Sequence, residues 1–277
     1  AERIPESRRV LISDHPERFN SFPGDVVGYT RAAEDAWLSR IARKYPERAI
    51  LSSGYWIHTF ERLFALGAVT KFESLGPLVH LESDVEWISP KRALEALQNK
   101  FDMPAITRVS EQAGSGAVMF FPSVHQLEYF LLLARKEVTQ DHDLLSDMKL
   151  LGRLLNRGEL DELPSGFAGG TSREKISFYE SGRELQLLFD GAAIGQFLFG
   201  LDPFHTNGMT SWGAVHPDFP LELERATWSV ETLWDSAALT FALNGEHYLV
   251  ANVHLHSKID PGNFSEHAPM WTRSLAE

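Results

Sequence analysis

Apolar residues recur along the first two thirds of this chain with two alternating periods. Short runs such as Arg9-Val10-Leu11-Ile12-Ser13, Leu78-Val79-His80-Leu81 and Ala105-Ile106-Thr107-Arg108-Val109 read as strands. Between them, apolar positions three and four apart predict helices. One spans 30–44, with Ala33, Ala36, Trp37 and Ile41 on its inner side and Thr30 near the N-cap. A second spans 56–66, burying Trp56, Phe60, Leu63 and Phe64, and a third runs from Pro90 to Asn99 with its proline in the first turn. Two longer amphipathic helices are predicted over 123–136 and 141–157. Ala49-Ile50-Leu51-Ser52 is a further candidate strand, and 14–28, with its prolines and glycines, reads as a loop. Leu160 to Pro164 closes this unit.

Past residue 187 the pattern loosens. Leu187-Leu188-Phe189 leads into Asp190, which can cap a short helix of small residues ending near Gly200. Small residues at 191–195 permit close packing, which would place Asp190 and Gln196 beside a ligand. Loop-rich sequence carrying Trp212, Trp228 and Trp234 follows, then a last strand over 249–258 and an irregular tail. No internal repeat, low-complexity tract or clear linker interrupts the chain. Alternating strands and helices followed by a mixed region predict one α/β domain over 1–277, with an open sheet and a less regular part at 205–277.

Composition narrows the function more than the fold. A chain of 277 residues with 43% hydrophobic and 23% charged residues has the make-up of a globular protein able to bury a substantial core. Its net charge of -12 argues against nucleic acid or an anionic membrane as the main partner. An anionic substrate stays possible, because a bound cation can reverse the field inside a cleft. The absence of cysteine excludes disulfides and thiolate chemistry. No apolar run approaches the ~18 residues of a membrane span, and the charged start Ala1-Glu2-Arg3 is unlike a signal peptide. These features together predict a soluble, cytoplasmic protein.

Two strand ends carry the chemistry. The run Leu78 to Leu81 is followed by Glu82-Ser83-Asp84, and an extended chain would point both carboxylates the same way. Hard divalent cations take oxygen ligands of this kind and keep positions free for substrate phosphate oxygens. Near the other end, Leu249-Val250-Ala251-Asn252-Val253 runs into His254-Leu255-His256-Ser257-Lys258, where a period of two places His254, His256 and Lys258 on one face. Imidazole ligates borderline metals and lysine supplies a point charge for phosphate. Gly114-Ser115-Gly116 opens an apolar run, Ala117-Val118-Met119-Phe120-Phe121, and small residues there let the backbone approach a ligand. Asp141, Asp143 and Asp147 stand at the start of a predicted helix, where acids also act as caps and dipole complements.

In order, these motifs resemble the nucleotide-sugar glycosyltransferases of GT-A fold, especially the glycogenin-like and lipooligosaccharide galactosyltransferase-like families. The matching pieces are Glu82-Ser83-Asp84, Ser115-Gly116-Ala117-Val118, Ser146-Asp147-Met148, Leu163-Pro164 and His254-Leu255-His256-Ser257-Lys258. Glu82 stands where the families carry Asp, their Asp-Gln-Asp triplet is reduced to Asp147, and their closing Gly-x-x-Lys spacing is missing. The resemblance implies a single GT-A-like (Rossmann-like) open mixed sheet flanked by helices, and transfer of a sugar from a nucleotide diphosphate to a glycan or lipid-linked acceptor. It implies Mn²⁺ or Mg²⁺ held by Glu82, Asp84 and His254 or His256. Arg62, Ser115, Gly116 and Lys258 would contact the donor, and Asp147 and Asp190 would orient the sugar or the acceptor hydroxyl. Retention of configuration and a role in bacterial surface polysaccharide synthesis are what these families suggest.

Other classes fit parts of the pattern. A metal-dependent phosphohydrolase could use Glu82, Asp84, His254 and His256 without an acceptor. A glycosidase needs two carboxylates and no metal. A carbohydrate-binding protein would rely on tryptophans such as Trp212 and Trp228.

Overall fold

A computed structural model describes residues 8–13, 15–29, 55–71, 76–140, 146–165, 187–191, 194–195, 227–233, 236–243 and 246–254. The expected helix at 30–44, the strand at 49–52, Gln196, Trp212, Trp234, His256 and Lys258 lie outside them. Within them the chain is mixed α/β, with four α-helices and strands in four sheets of two or four strands.

The strand that organises the centre is β6 (Ala113–Phe121), in which every residue is buried. Alternation sends Met119 and Phe121 into one apolar cluster, and Val118 and Phe120 into another on the opposite face. Antiparallel neighbours flank it: β3 (Leu78–Leu81), with Leu81 opposite Val118, and β5 (Ala105–Ser110). Outside β5, β7 (Asp161–Leu163) runs parallel, giving the order β3-β6-β5-β7. One face is covered by α1 (Tyr55–Ala65), α3 (Val124–Gln140) and α4 (Asp147–Asn156), which supply Leu63, Phe130 and Leu151. The other face receives Ala93 and Leu97 of α2 (Pro90–Lys100), together with Leu187 and Leu249.

The C-terminal strands form a second four-stranded sheet. Leu187–Leu188, β8, runs parallel to β11 (Glu246–Val250); β10 (Ser236–Leu243) and β9 (Thr227–Leu233) follow in an antiparallel ladder. An isolated parallel bridge between Ser165 and Phe189 joins the end of β7 to the end of β8. The Phe189 amide also donates to the Pro164 carbonyl (2.7 Å), so the two four-stranded sheets are stitched edge to edge. The described part of 205–277 is thus regular strand. The alternation of Thr227-Trp228-Ser229-Val230 places Trp228 within β9, where Ser229 pairs with Thr240 through a 2.6 Å hydroxyl contact.

Several boundaries differ from the sequence expectation. The 14–28 loop holds a 3-10 turn, Pro16–Phe19, and strand β2 (Asp25–Gly28), which pairs in parallel with β1 (Val10–Ser13). The β-branched pair Val26-Val27 suits that strand, and Asp25 accepts a 2.6 Å hydrogen bond from Arg8 beside it. Helix α3 runs on to Gln140, while α4 begins only at Asp147, because Ser146 is extended and its hydroxyl accepts from the Lys149 amide. At the far end Gly158 adopts φ 69°, with the Gly158 and Glu159 amides donating back to Leu155 and Leu154. This Schellman arrangement turns the chain into β7. The last expected strand breaks at Ala251: β11 stays in its ladder, whereas β12 (Asn252–His254) pairs antiparallel with β4 (Val85–Trp87).

Helix α4 meets β6 at Gly152, where an added Cβ would overlap the Gln112 and Ala113 backbone. Gly152→Ala is therefore expected to cost about 1–3 kcal/mol of stability. At Gly76 an added Cβ would meet no atom of the described residues within 4 Å, so the same change there serves as the neutral control. Urea denaturation of the two variants checks this; equal midpoints would refute the close α4–β6 contact.

Candidate metal centre

The first two acids of the site leave β3 in a turn. The Val85 amide donates to the Glu82 carbonyl (3.1 Å), so residues 82–85 fold back into β4. The chain is not extended here, and the carboxylates converge through this turn instead of through a strand period of two. Strand β12, paired with β4, brings His254 opposite Val85 and therefore beside both acids. His254 Nε2 lies 3.5 Å from Asp84 Oδ2 and 3.8 Å from Glu82 Oε2. One donor atom from each of Glu82, Asp84 and His254 falls within 4.8 Å of the others.

This donor set fits a divalent cation. Adjacent ligands around an octahedral ion with ~2.1 Å bonds stand about 3 Å apart, a little closer than these atoms. The imidazole is held by its other nitrogen, Nδ1, which is 2.8 Å from the Gly191 carbonyl. A carbonyl accepts only, so Nδ1 carries the proton and Nε2 faces the acids. Space is made by Gly116 on β6, where a Cβ would stand 3.2 Å from Glu82 Oε1.

A guanidinium completes the rim. Arg62 on α1 places NH2 3.0 Å from Glu82 Oε1 and 3.1 Å from Asp147 Oδ2. Its side chain is 39% exposed, whereas that of Asp147 is 2% exposed, so the arginine can face both solvent and site. Asp147, first residue of α4, also accepts from the Met148 amide through Oδ1. His80 precedes Glu82 by one pleat; its Nε2 is enclosed without a hydrogen-bond partner among the described residues. Burial first, then the Arg62 charge, lower its pKa to about 3, so this imidazole is neutral.

The charges at the centre are strongly perturbed. Burial raises the pKa of Glu82, opposed by Arg62 and His254 and reinforced by Asp84 and Asp147. For His254, burial works against the proton, but the Asp84 hydrogen bond and the Glu82 and Asp84 charges outweigh it and lift the pKa to about 9. The metal-free site is thus an imidazolium between two acids.

Ser115 and Asp190 are the remaining sequence candidates among the described residues. Ser115 lies inside β6, where its hydroxyl donates to the Gly191 carbonyl (3.2 Å) and accepts from the Ala117 amide. Asp190 stands on the main-chain side of His254, accepting from the amides of His254, Ile194 and Gly195. Burial raises its pKa against the pull of those amides and the His254 charge. Asn252, which the sequence pattern does not single out, is fully buried and exchanges two hydrogen bonds with the Asp190 backbone. A polar Asn inside an apolar run, two residues before a candidate ligand, is the signal that could have found it.

Comparison with protein-family models, curated proteins and solved structures finds no match. No helix among the described residues is long and apolar enough to cross a membrane.

Metal binding must displace the His254 proton, because only neutral imidazole ligates. At pH 7, Mn²⁺ binding is expected to release close to one proton from a group titrating at about 9, with affinity rising as pH rises toward that value. Without metal, the raised pKa adds stability that is complete below the ordinary value of 6.5 and is lost as pH rises through about 9. Calorimetry in two buffers of different ionisation heat counts the protons. No release in the wild type, or the same release in His254→Gln, would refute this assignment.

Proposed function

We propose that the chain is a metal-dependent glycosyltransferase acting on a nucleotide-diphosphate sugar. The observation that carries this reading is the meeting of Glu82 and Asp84, from the turn after the edge strand β3, with His254 from the C-terminal strand, beside a half-exposed arginine. Such a centre has oxygen and nitrogen donors for a cation on one side and a fixed positive charge for phosphate on the other. When bound, the cation neutralises charge on the departing diphosphate.

The chain's own residues do the rest. Arg62 offers its exposed edge to the diphosphate while Glu82 and Asp147 hold it from two directions, so little ordering is left for the moment of reaction. Gly116 keeps the floor of the site low enough for Glu82 to turn inward. Asp147, buried and bonded through both oxygens to Arg62 and its own helix, orients the sugar or acceptor hydroxyl through the guanidinium it holds. Under this reading the β3-β6-β5-β7 sheet, the β8-β11-β10-β9 sheet stitched to it, and the β4-β12 pair are parts of one GT-A-like mixed layer. The acceptor would be a glycan or lipid-linked hydroxyl met in the cytoplasm.

A phosphohydrolase could use the same three ligands, and it differs in needing no acceptor. Thermal stabilisation by UDP, GDP, CDP and CMP, each with and without Mn²⁺, tests the proposal. The expected result is a Tm rise with one nucleotide that requires Mn²⁺ and is lost in Asp84→Ala. Nucleoside diphosphate release that accelerates with an added acceptor then separates transfer from hydrolysis. No stabilisation by any nucleotide in the wild type would refute the reading.

A further inference from the structure

Behind His254 lies a polar knot larger than a strand end needs. The Asp190 carboxylate is buried at 1% exposure and accepts three amide hydrogen bonds: His254 N at 2.9 Å, Gly195 N at 2.7 Å and Ile194 N at 3.0 Å. Asn252, itself buried, ties the Asp190 backbone in both directions, accepting from its N–H (3.1 Å) and donating to its carbonyl (2.9 Å). The next carbonyl, Gly191, receives His254 Nδ1 at 2.8 Å and the Ser115 hydroxyl at 3.2 Å. Two glycines make the fit possible. A Cβ on Gly191 would stand 2.7 Å from Thr107 Oγ1, and one on Gly195 would overlap the His254 carbonyl.

Each of these bonds fixes one degree of freedom of the same imidazole. Asp190 Oδ2 pins the His254 backbone, Asn252 pins the Asp190–Gly191 peptide from the adjoining strand, and the Gly191 carbonyl selects the nitrogen that keeps its proton. Burying a carboxylate is costly, and here charge-assisted bonds to three amides offset the cost. A cap for a helix start does not require the amide of a residue 64 positions away, yet His254 N is among the three.

We propose that Asp190 and Asn252 are positioning residues for the metal centre: they form a rigid seat that presents His254 Nε2 to the cation beside Glu82 and Asp84. This rests on the metal-dependent reading above and assigns Asp190 a task distinct from touching the substrate. Loss of a partner that hydrogen-bonds a ligating imidazole typically changes metal affinity about 10–100-fold, and Asp190 and Asn252 hold in place the Gly191 carbonyl that is that partner. In Asp190→Asn, the Nδ2 group replaces one acceptor with a donor facing amide donors, so the seat opens at His254 or at Ile194. In Asn252→Ala, the Asp190 N–H and carbonyl lose their partners.

The test is Mn²⁺ affinity by electron paramagnetic resonance for wild type, Asp190→Asn and Asn252→Ala, with metal-free Tm measured alongside. The expected result is binding by the wild type and about 10–100-fold weaker binding by variants that remain folded. Wild-type binding matched by a folded Asp190→Asn would overturn the seat while leaving the metal centre intact. No wild-type binding would overturn the metal centre itself. A second readout needs no variant: ¹⁵N-histidine spectra of the wild-type protein with Zn²⁺. The seat requires His254 to keep its proton on Nδ1 and to bind Zn²⁺ through Nε2, and the opposite arrangement would refute it whatever the variants do.

Discussion

The Glu82 carboxylate, nearly out of water, and the partly exposed Asp84 carboxylate lie 3.8 and 3.5 Å from one imidazole nitrogen; this pair of negative groups calls for a positive charge, and the organisation of the site follows from that requirement. Glu82 cannot be ionised in its position without compensation, since burial pushes its pKa up. Arg62 supplies part of the compensation and the His254 proton supplies another part. Under the proposed function a divalent cation would meet the same need. Proton and cation would then compete for His254 Nε2.

The fold delivers these groups from four separate places. Strand β6, buried on both faces, fixes β3 and so the start of the turn that holds the acids. Its glycine at 116 leaves room for Glu82 to lie inward. The chain changes ladders at Ala251, whose amide donates to Leu188 and whose carbonyl accepts from Ile88 and Ser89, and this change carries His254 to the acids. Arg62 comes from α1 and Asp147 from the capped start of α4, which explains why one helix ends its inner face in an arginine and another opens with an acid.

Much of this was legible in the sequence because it rests on local patterns. The apolar run at 78–81 and the acids after it, the amphipathic helices around 56–66, 90–99 and 123–136, and His254 at the end of an apolar stretch all carry short-range signals. The sequence left open an extended chain or a turn at 82–85, since Glu-Ser-Asp-Val is compatible with both. Strand β2 hid among prolines and glycines, as its four residues acquire their meaning only by pairing with β1. The seat formed by Asp190 and Asn252 depends on contacts between residues 62 apart in the chain, for which no spacing rule exists. The small residues at 191–195 predicted close packing, and Gly191 and Gly195 do pack against Thr107 and the His254 carbonyl, partners that the sequence could not name.

The most direct measurement is anomalous diffraction from crystals grown with Mn²⁺. The account predicts a single strong peak within about 2.5 Å of a Glu82 or Asp84 oxygen and of His254 Nε2. A map with no peak among these three residues, or with manganese bound only elsewhere on the surface, would contradict it.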